Sequence, residues 1–303
     1  MNRETLFRWA WMFAPKVPQS ILMGLAHIAA DAVSFVNPGS VRQLRRNYQH
    51  LLNRKVTSAE VRAGVRSYFR CYAQQFSLPG WSTDYLVKML EYPKAQELRA
   101  LMNDGPVILA LTHSANWDIA GAWYAQGYAP IITVAEKLEP ESLFKDFVEF
   151  RESLGMEILG AAPGEHIFDT LVDLTRGRTA LVPLLADRDI TGRGIEVQLG
   201  AARALVAAGP AALALRLDRP LIAGHMTYKK ENGAWRVHAH FTDPIEPPEP
   251  RVGETRVEAY TREWVKAIEP AMMEGFIDWH MMQKLFIADL DPERLRRARE
   301  RAQ

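Results

Sequence analysis

From about residue 105 the chain alternates short apolar runs with stretches of helical periodicity. Val107–Leu111, Ile131–Ala135, Met156–Leu159, Ala180–Leu185 and Leu221–Met226 are the apolar runs, each of a length that suits a buried strand. Helical patterns fill the gaps at about 116–127, 140–155 and 165–176. Such alternation needs crossover connections, so it predicts a mainly parallel sheet with helices on both faces. Trp235–Phe241 then alternates in twos and follows Asn232-Gly233, which with Pro220–Lys230 predicts an antiparallel hairpin. Residues 254–274 read as a long amphipathic helix, and Pro292–Arg301 as a charged, peripheral one. Upstream, Thr57 and Glu60 form a capping box ahead of Val61, Val65, Tyr68, Phe69 and Tyr72 at helical spacing, which predicts a helix over 57–77. There is no internal repeat and no long linker. The simplest organisation is one α/β domain over 1–303, with an N-terminal apolar and basic helical segment at 1–56 and an α/β core at 57–303.

The N-terminal pattern differs. Leu6, Phe7, Trp9, Trp11, Met12 and Phe13 are interrupted by Arg3 and Arg8, and Pro15 and Pro18 close the segment. A second apolar stretch runs over 21–36, followed by Arg42, Arg45 and Arg46. A membrane span needs about 20 predominantly apolar residues, and His27 and Asp31 interrupt this one. Pro15, Lys16 and Pro18 break the pattern of a signal peptide. Two helices with broad apolar faces remain, either lying in a membrane interface or packed on the core with a basic face in water.

Charge sharpens that choice. The chain of 303 residues carries a net +1, but residues 1–80 hold 11 Lys/Arg against 3 Asp/Glu, a balance of +8, which leaves −7 for the rest. One end of the molecule is therefore suited to something anionic. The whole-chain total gives no indication of nucleic acid. With 48% hydrophobic and 24% charged residues the chain is globular rather than disordered or fibrous. The single cysteine, Cys71, excludes a disulfide scaffold and paired-thiolate zinc sites, and fits a reducing compartment. His238 and His240 point to one face of a strand but have no carboxylate or thiolate at ligand spacing, so no metal is expected. No G-x-S-x-G elbow and no P-loop occur, and Gly192-Arg193-Gly194 lacks the third glycine of a dinucleotide fingerprint.

The segment that carries chemistry is Leu111-Thr112-His113-Ser114-Ala115-Asn116-Trp117-Asp118. His113 falls at the C-terminal end of a buried strand, where ligands of open α/β sheets bind. A carboxylate on one ring nitrogen would fix the tautomer, leaving the other to take a proton from a substrate hydroxyl. Asp118 is near in sequence. Asn116 and Asp118 also suit a helix cap. Asp187, Arg188 and Asp189 follow another buried strand and share the sheet end with His113.

Several long segments occur together in one order: His113–Ala122, Thr133–Leu143, Phe147–Gly155, Ala186–Thr191, and Asp278–Met281 with Ile287–Leu290, preceded by Gln43–Asn47. In these the chain resembles the bacterial lipid A acyltransferase superfamily and, within it, the actinobacterial phosphatidylinositol mannoside acyltransferases. The resemblance covers essentially the whole chain. It implies transfer of a fatty acyl group from acyl-CoA to the 6-hydroxyl of a mannose in a phosphatidylinositol mannoside, with no cofactor and no metal. It makes His113 the catalytic base, Asp118 the aspartate of the H-x4-D motif, and Glu136 and Arg151 polar residues lining the site; Arg188 and Asn116, placed at the same sheet end, are further substrate-binding candidates. Asp187 stands where the family has a glutamate that partners the histidine. The side chain is one methylene shorter and the charge is kept, so Asp118 and Asp187 are both candidates to hold the imidazole. Trp117, Trp123 and Tyr124 are candidates to line the acyl channel. Residues 1–56 are expected to hold the protein peripherally on an anionic membrane surface at the cytoplasmic face. A lysophospholipid or lipid A-type acceptor, a thioesterase and a non-catalytic lipid-binding protein are the alternatives.

Overall fold

The computed structural model describes residues 9–137, 140–161, 167–190 and 194–302. Arg3, Leu6, Phe7, Arg8, Glu139, Thr191 and the Gly192-Arg193 pair lie outside the described residues. In chain order the helices are α1 (Gln19–Val36), α2 (Gly39–Leu52), α3 (Ser58–Ser77), α4 (Thr83–Val87), α5 (Ala95–Ala100), α6 (Trp117–Gly127), α7 (Glu141–Ser153), α8 (Ile167–Thr175), α9 (Gly209–Leu217), α10 (Arg256–Glu274) and α11 (Pro292–Ala302). The strands are β1 (Leu90–Glu91), β2 (Val107–Leu111), β3 (Ile131–Glu136), β4 (Met156–Ala161), β5 (Leu181–Leu185), β6 (Ile195–Leu199), β7 (Ala202–Val206), β8 (Leu221–Glu231) and β9 (Ala234–Phe241).

Seven strands form one sheet in the order β1-β9-β8-β2-β5-β3-β4, with β6 and β7 as a separate hairpin. Every pairing in the large sheet is parallel except β8 with β9. β2 is buried at all five positions, with Ile108 and Ala110 in one hydrophobic cluster and Val107, Leu109 and Leu111 in another. The sheet is therefore covered on both faces, which is why its central strands read as continuous apolar runs. Helix α6, which follows β2, contributes Ile119, Ala122 and Tyr124 to one cluster. Helix α9, on the path from β5 to β8, contributes Ala211, Leu213 and Ala214 to the other. Adjacent strands β2 and β5 thus send the chain to opposite faces, and such a divergence opens a crevice beyond their carboxyl ends.

The N-terminal region divides in two. In α2, Val41, Leu44, Tyr48 and Leu51 are built into the main core, and the Asn47 side chain donates to the carbonyls of Met281 and Gln283. Helix α1 differs: Ile21, Leu25, Ile28 and Phe35 are exposed along one stripe, joined by Trp9, Met12 and Phe13. Its polar residue Asp31 instead pairs with Arg66 of α3. The helix thus turns an apolar stripe away from the protein.

Candidate active site

The site begins where β2 ends. Ala115 takes a positive φ of 42° although it is not glycine, a strained conformation that the surrounding bonds hold in place. Its N–H donates to the Asp278 carbonyl at 2.9 Å, and the His280 N–H donates to the His113 carbonyl at 2.7 Å. Asn116 then caps α6, accepting from the Ile119 N–H at 3.2 Å and donating to the Cys71 carbonyl at 3.2 Å. Its side chain is fully buried in that structural role.

His113 projects from this turn with its side chain one-third exposed. Asp187, directly beyond β5, is 2% exposed. Its Oδ1 lies 2.5 Å from His113 Nδ1, and its Oδ2 accepts the His113 backbone N–H at 3.0 Å and the Trp279 indole N–H at 2.7 Å. Burial pushes the Asp187 carboxyl up, but the His113 charge and the three hydrogen bonds outweigh it and hold the group below its ordinary value. With Nδ1 engaged, Nε2 is the nitrogen left for a substrate proton.

Asp118 points elsewhere. It is 2% exposed, accepts from Arg151 Nε at 2.8 Å and from the Gln75 side chain, and makes no bond to His113. Arg151 in turn lies over the Trp117 ring at 4.3 Å and the Phe147 ring at 5.5 Å. This pair fastens α7 to the start of α6 and to α3. Glu136 is exposed at the carboxyl end of β3, and Arg188 is half-buried beside Asp187. Ser114, adjacent to His113, is buried, and its Oγ accepts the Met226 N–H at 2.9 Å and lies 2.8 Å from Thr112 Oγ1. Those bonds leave it poorly placed as a nucleophile.

An apolar cavity of about 500 Å³, its open mouth included, lies between α6 and the sheet. Leu111 and Trp117, which bracket His113 in sequence, both line it, as do Trp123, Tyr124, Met226 and Phe241. Thr133, on its wall, turns its hydroxyl to the Pro183 carbonyl at 2.5 Å. Trp117, Trp123 and Tyr124 thus line one apolar cavity, which reaches Leu111, two residues before His113.

Sequence reasoning gave no role to Trp279 or Gln75. Trp279 belonged to the Asp278–Met281 segment, but only its place in the sheet-end network reveals its target. The expectation that His238 has no carboxylate beside it is corrected: Glu91 is 3.5 Å from its Nδ1 and Glu231 is 3.2 Å from its Nε2. Strand pairing brings Glu91 opposite His238 across 147 positions of sequence. Arg236 also engages Glu231, at 3.3 Å.

A profile of bacterial lipid A biosynthesis acyltransferases matches residues 4–287. The chain is 33% identical to a phosphatidylinositol mannoside acyltransferase of Mycolicibacterium smegmatis, over 94% of this chain and 91% of that protein. It is 31% identical to the protein of the same name in Mycobacterium tuberculosis, over 98% of this chain and 94% of that one.

Proposed function

The chain belongs to the bacterial lipid A biosynthesis acyltransferase family, and from that premise we propose that it transfers a fatty acyl group from acyl-CoA to the 6-hydroxyl of a mannose in a phosphatidylinositol mannoside. The observation that carries this reading is the His113–Asp187 pair at the carboxyl edge of the sheet, with an apolar cavity that Leu111 and Trp117, on either side of His113 in sequence, help to line. His113 Nε2 removes the proton of the mannose hydroxyl while that oxygen attacks the thioester carbonyl. Buried Asp187 stabilises the imidazolium. The tetrahedral oxyanion is met by N–H groups at the N-terminus of α6. On collapse the C–S bond breaks, the imidazolium proton goes to the CoA thiolate, and the ester remains on the mannose. The acyl chain occupies the apolar cavity during transfer. Glu136 and Arg188, at the ends of β3 and β5, meet the polar parts of the substrates. The reaction as written needs no cofactor.

The outward apolar stripe of α1 supports peripheral attachment to an anionic membrane surface, at the cytoplasmic face where acyl-CoA is supplied. Polar partners of α1 face α3, so the stripe can enter the interface without exposing an unpaired charge.

The experiment is a product assay by mass spectrometry with acyl-CoA and a panel of mannosylated and non-mannosylated lipids. Acylation confined to the mannosylated lipids, lost in a folded His113→Ala variant, is expected. Acylation of a lysophospholipid instead would move the acceptor. CoA release without an acylated lipid would indicate a thioesterase, and no CoA release at all a lipid-binding protein.

A further inference from the structure

Residues 278–280 cross the His113 turn, touching it twice and its partner Asp187 once. The Asp278 carbonyl takes the Ala115 N–H, the His280 N–H reaches the His113 carbonyl, and between them the Trp279 indole N–H reaches Asp187 Oδ2 at 2.7 Å. Trp279 is itself fixed. It is fully buried, its ring meets Phe286 edge-on at 6.5 Å, and its carbonyl accepts the Tyr48 hydroxyl at 3.1 Å. Asp187 Oδ2 therefore receives two rigid donors, the indole and the His113 N–H, while Oδ1 faces the imidazole.

We propose that Trp279 is a positioning residue for acyl transfer, its indole N–H pinning Asp187 so that a single oxygen of a fully ionised carboxylate serves His113. This rests on the reading of His113 as the general base. The indole bond helps hold the Asp187 carboxyl below its ordinary value against the opposing effect of burial. Without it the carboxylate is more basic, binds the imidazolium proton more tightly and is free to rotate. The His113–Asp187 pair, as a unit, then gives up its shared proton only at higher pH. The other titratable groups around the pair do not replace the indole. His225 of β8 and His280 are kept neutral by burial, with pKa values pushed down to about 4 and about 3. Asp278 accepts from Ser67 and the Tyr228 N–H, and Arg70 lies 4.0 Å from it and over the Trp235 ring. Arg188 and Asp189 follow Asp187 in sequence, while the donors to its Oδ2 are the His113 N–H and the Trp279 indole.

The test compares the full chain with Trp279→Phe and with a variant carrying β-(3-benzothienyl)alanine at position 279, which keeps the indole shape and replaces N–H with sulfur. Rates are measured across pH with acyl-CoA and a mannosylated acceptor, with His113→Ala alongside. Expected are a kcat reduced about tenfold to a hundredfold, little change in KM, and an acidic limb moved up by roughly one pH unit. A folded variant whose limb stays at the wild-type midpoint, or whose loss is in KM alone, overturns the proposal. If neither variant folds, it is overturned as well, because the indole then serves stability. Should His113→Ala retain transfer, the base reading fails instead; an inactive His113→Ala with unmoved limbs in the Trp279 variants leaves that reading standing and removes this one.

Discussion

Replacing Arg151 with Met separates two roles that the sequence leaves together. The substitution removes the cation from a pair in which the side chains are 11% and 2% exposed, and it leaves Asp118 with Gln75 as its donor. Met retains much of the aliphatic volume over Trp117 and Phe147. Stranding one member of a buried ion pair costs about 3–5 kcal/mol. At about 2.1 cal/mol/K per residue, 303 residues give an unfolding entropy of about 0.6 kcal/mol/K. The melting temperature of Arg151→Met should therefore fall by about 5–8 °C in a calorimetric scan. Adding Asp118→Asn removes the stranded charge and should restore most of the loss, since a neutral pair needs no counter-ion. An unchanged melting temperature in Arg151→Met, together with a raised KM for acyl-CoA, would refute the structural role and make Arg151 a substrate ligand.

Three further outcomes are expected. A Cβ at Gly121 would lie 2.7 Å from Met156 Sδ on the cavity wall, so Gly121→Leu should shift the products of a mixed acyl-CoA assay toward shorter chains; a slower enzyme with an unchanged chain distribution would count against the cavity as the acyl site. Ile28 and Phe35 are 69% and 92% exposed, and burying each in an interface is worth about 1.5–3 kcal/mol. Ile28→Asp and Phe35→Asp should thus each weaken binding to anionic liposomes by about tenfold or more at an unaltered melting temperature, and undiminished co-sedimentation would be the contrary result. His225 and His280 remain neutral in the fold down to about 4 and about 3, against an ordinary 6.5. Between those values the unfolded chain binds more protons, so stability falls as pH drops, by up to about 1.4 kcal/mol per pH unit for each histidine. A folded His280→Gln variant should show a shallower decline in urea unfolding between about pH 6.5 and 4.5, and an identical slope would contradict the assignment.

Much of the fold is legible because its central strands are buried on both faces. β2, β3, β4, β5 and β8 appear as apolar runs, and the β8–β9 turn announces itself through Asn232 and Gly233, whose φ values are 50° and 82°. What escapes the pattern has a physical reason in each case. β1 has two residues and exists through its partner β9, so it has no periodicity of its own. β7 is the Ala-Arg-Ala-Leu-Val run, whose composition suits a helix as well as a strand. Its pairing with β6 turns on Gly200, where φ is 58° and the Leu51 backbone approaches too closely for a side chain. Helix α2 does carry a signal, Val41, Leu44, Tyr48 and Leu51 at helical spacing, but Arg42, Arg45 and Arg46 interleave with it and draw attention to charge.

The choice between Asp118 and Asp187 shows where local reasoning stops. Proximity in sequence favours Asp118, five residues from His113, but the Ala115 conformation and the Asn116 cap start a helix between them. That helix carries Asp118 inward to Arg151 and Gln75. Asp187 is 74 residues away, and β2 pairs with β5 in the same offset, Leu111 opposite Leu185. Two residues further along each parallel strand, His113 and Asp187 meet. A carboxylate directly opposite in register needs little reach, which is why an aspartate makes the contact at 2.5 Å despite being one methylene shorter than glutamate. Register follows from sheet order, and sheet order is a property of the whole chain rather than of any motif within it.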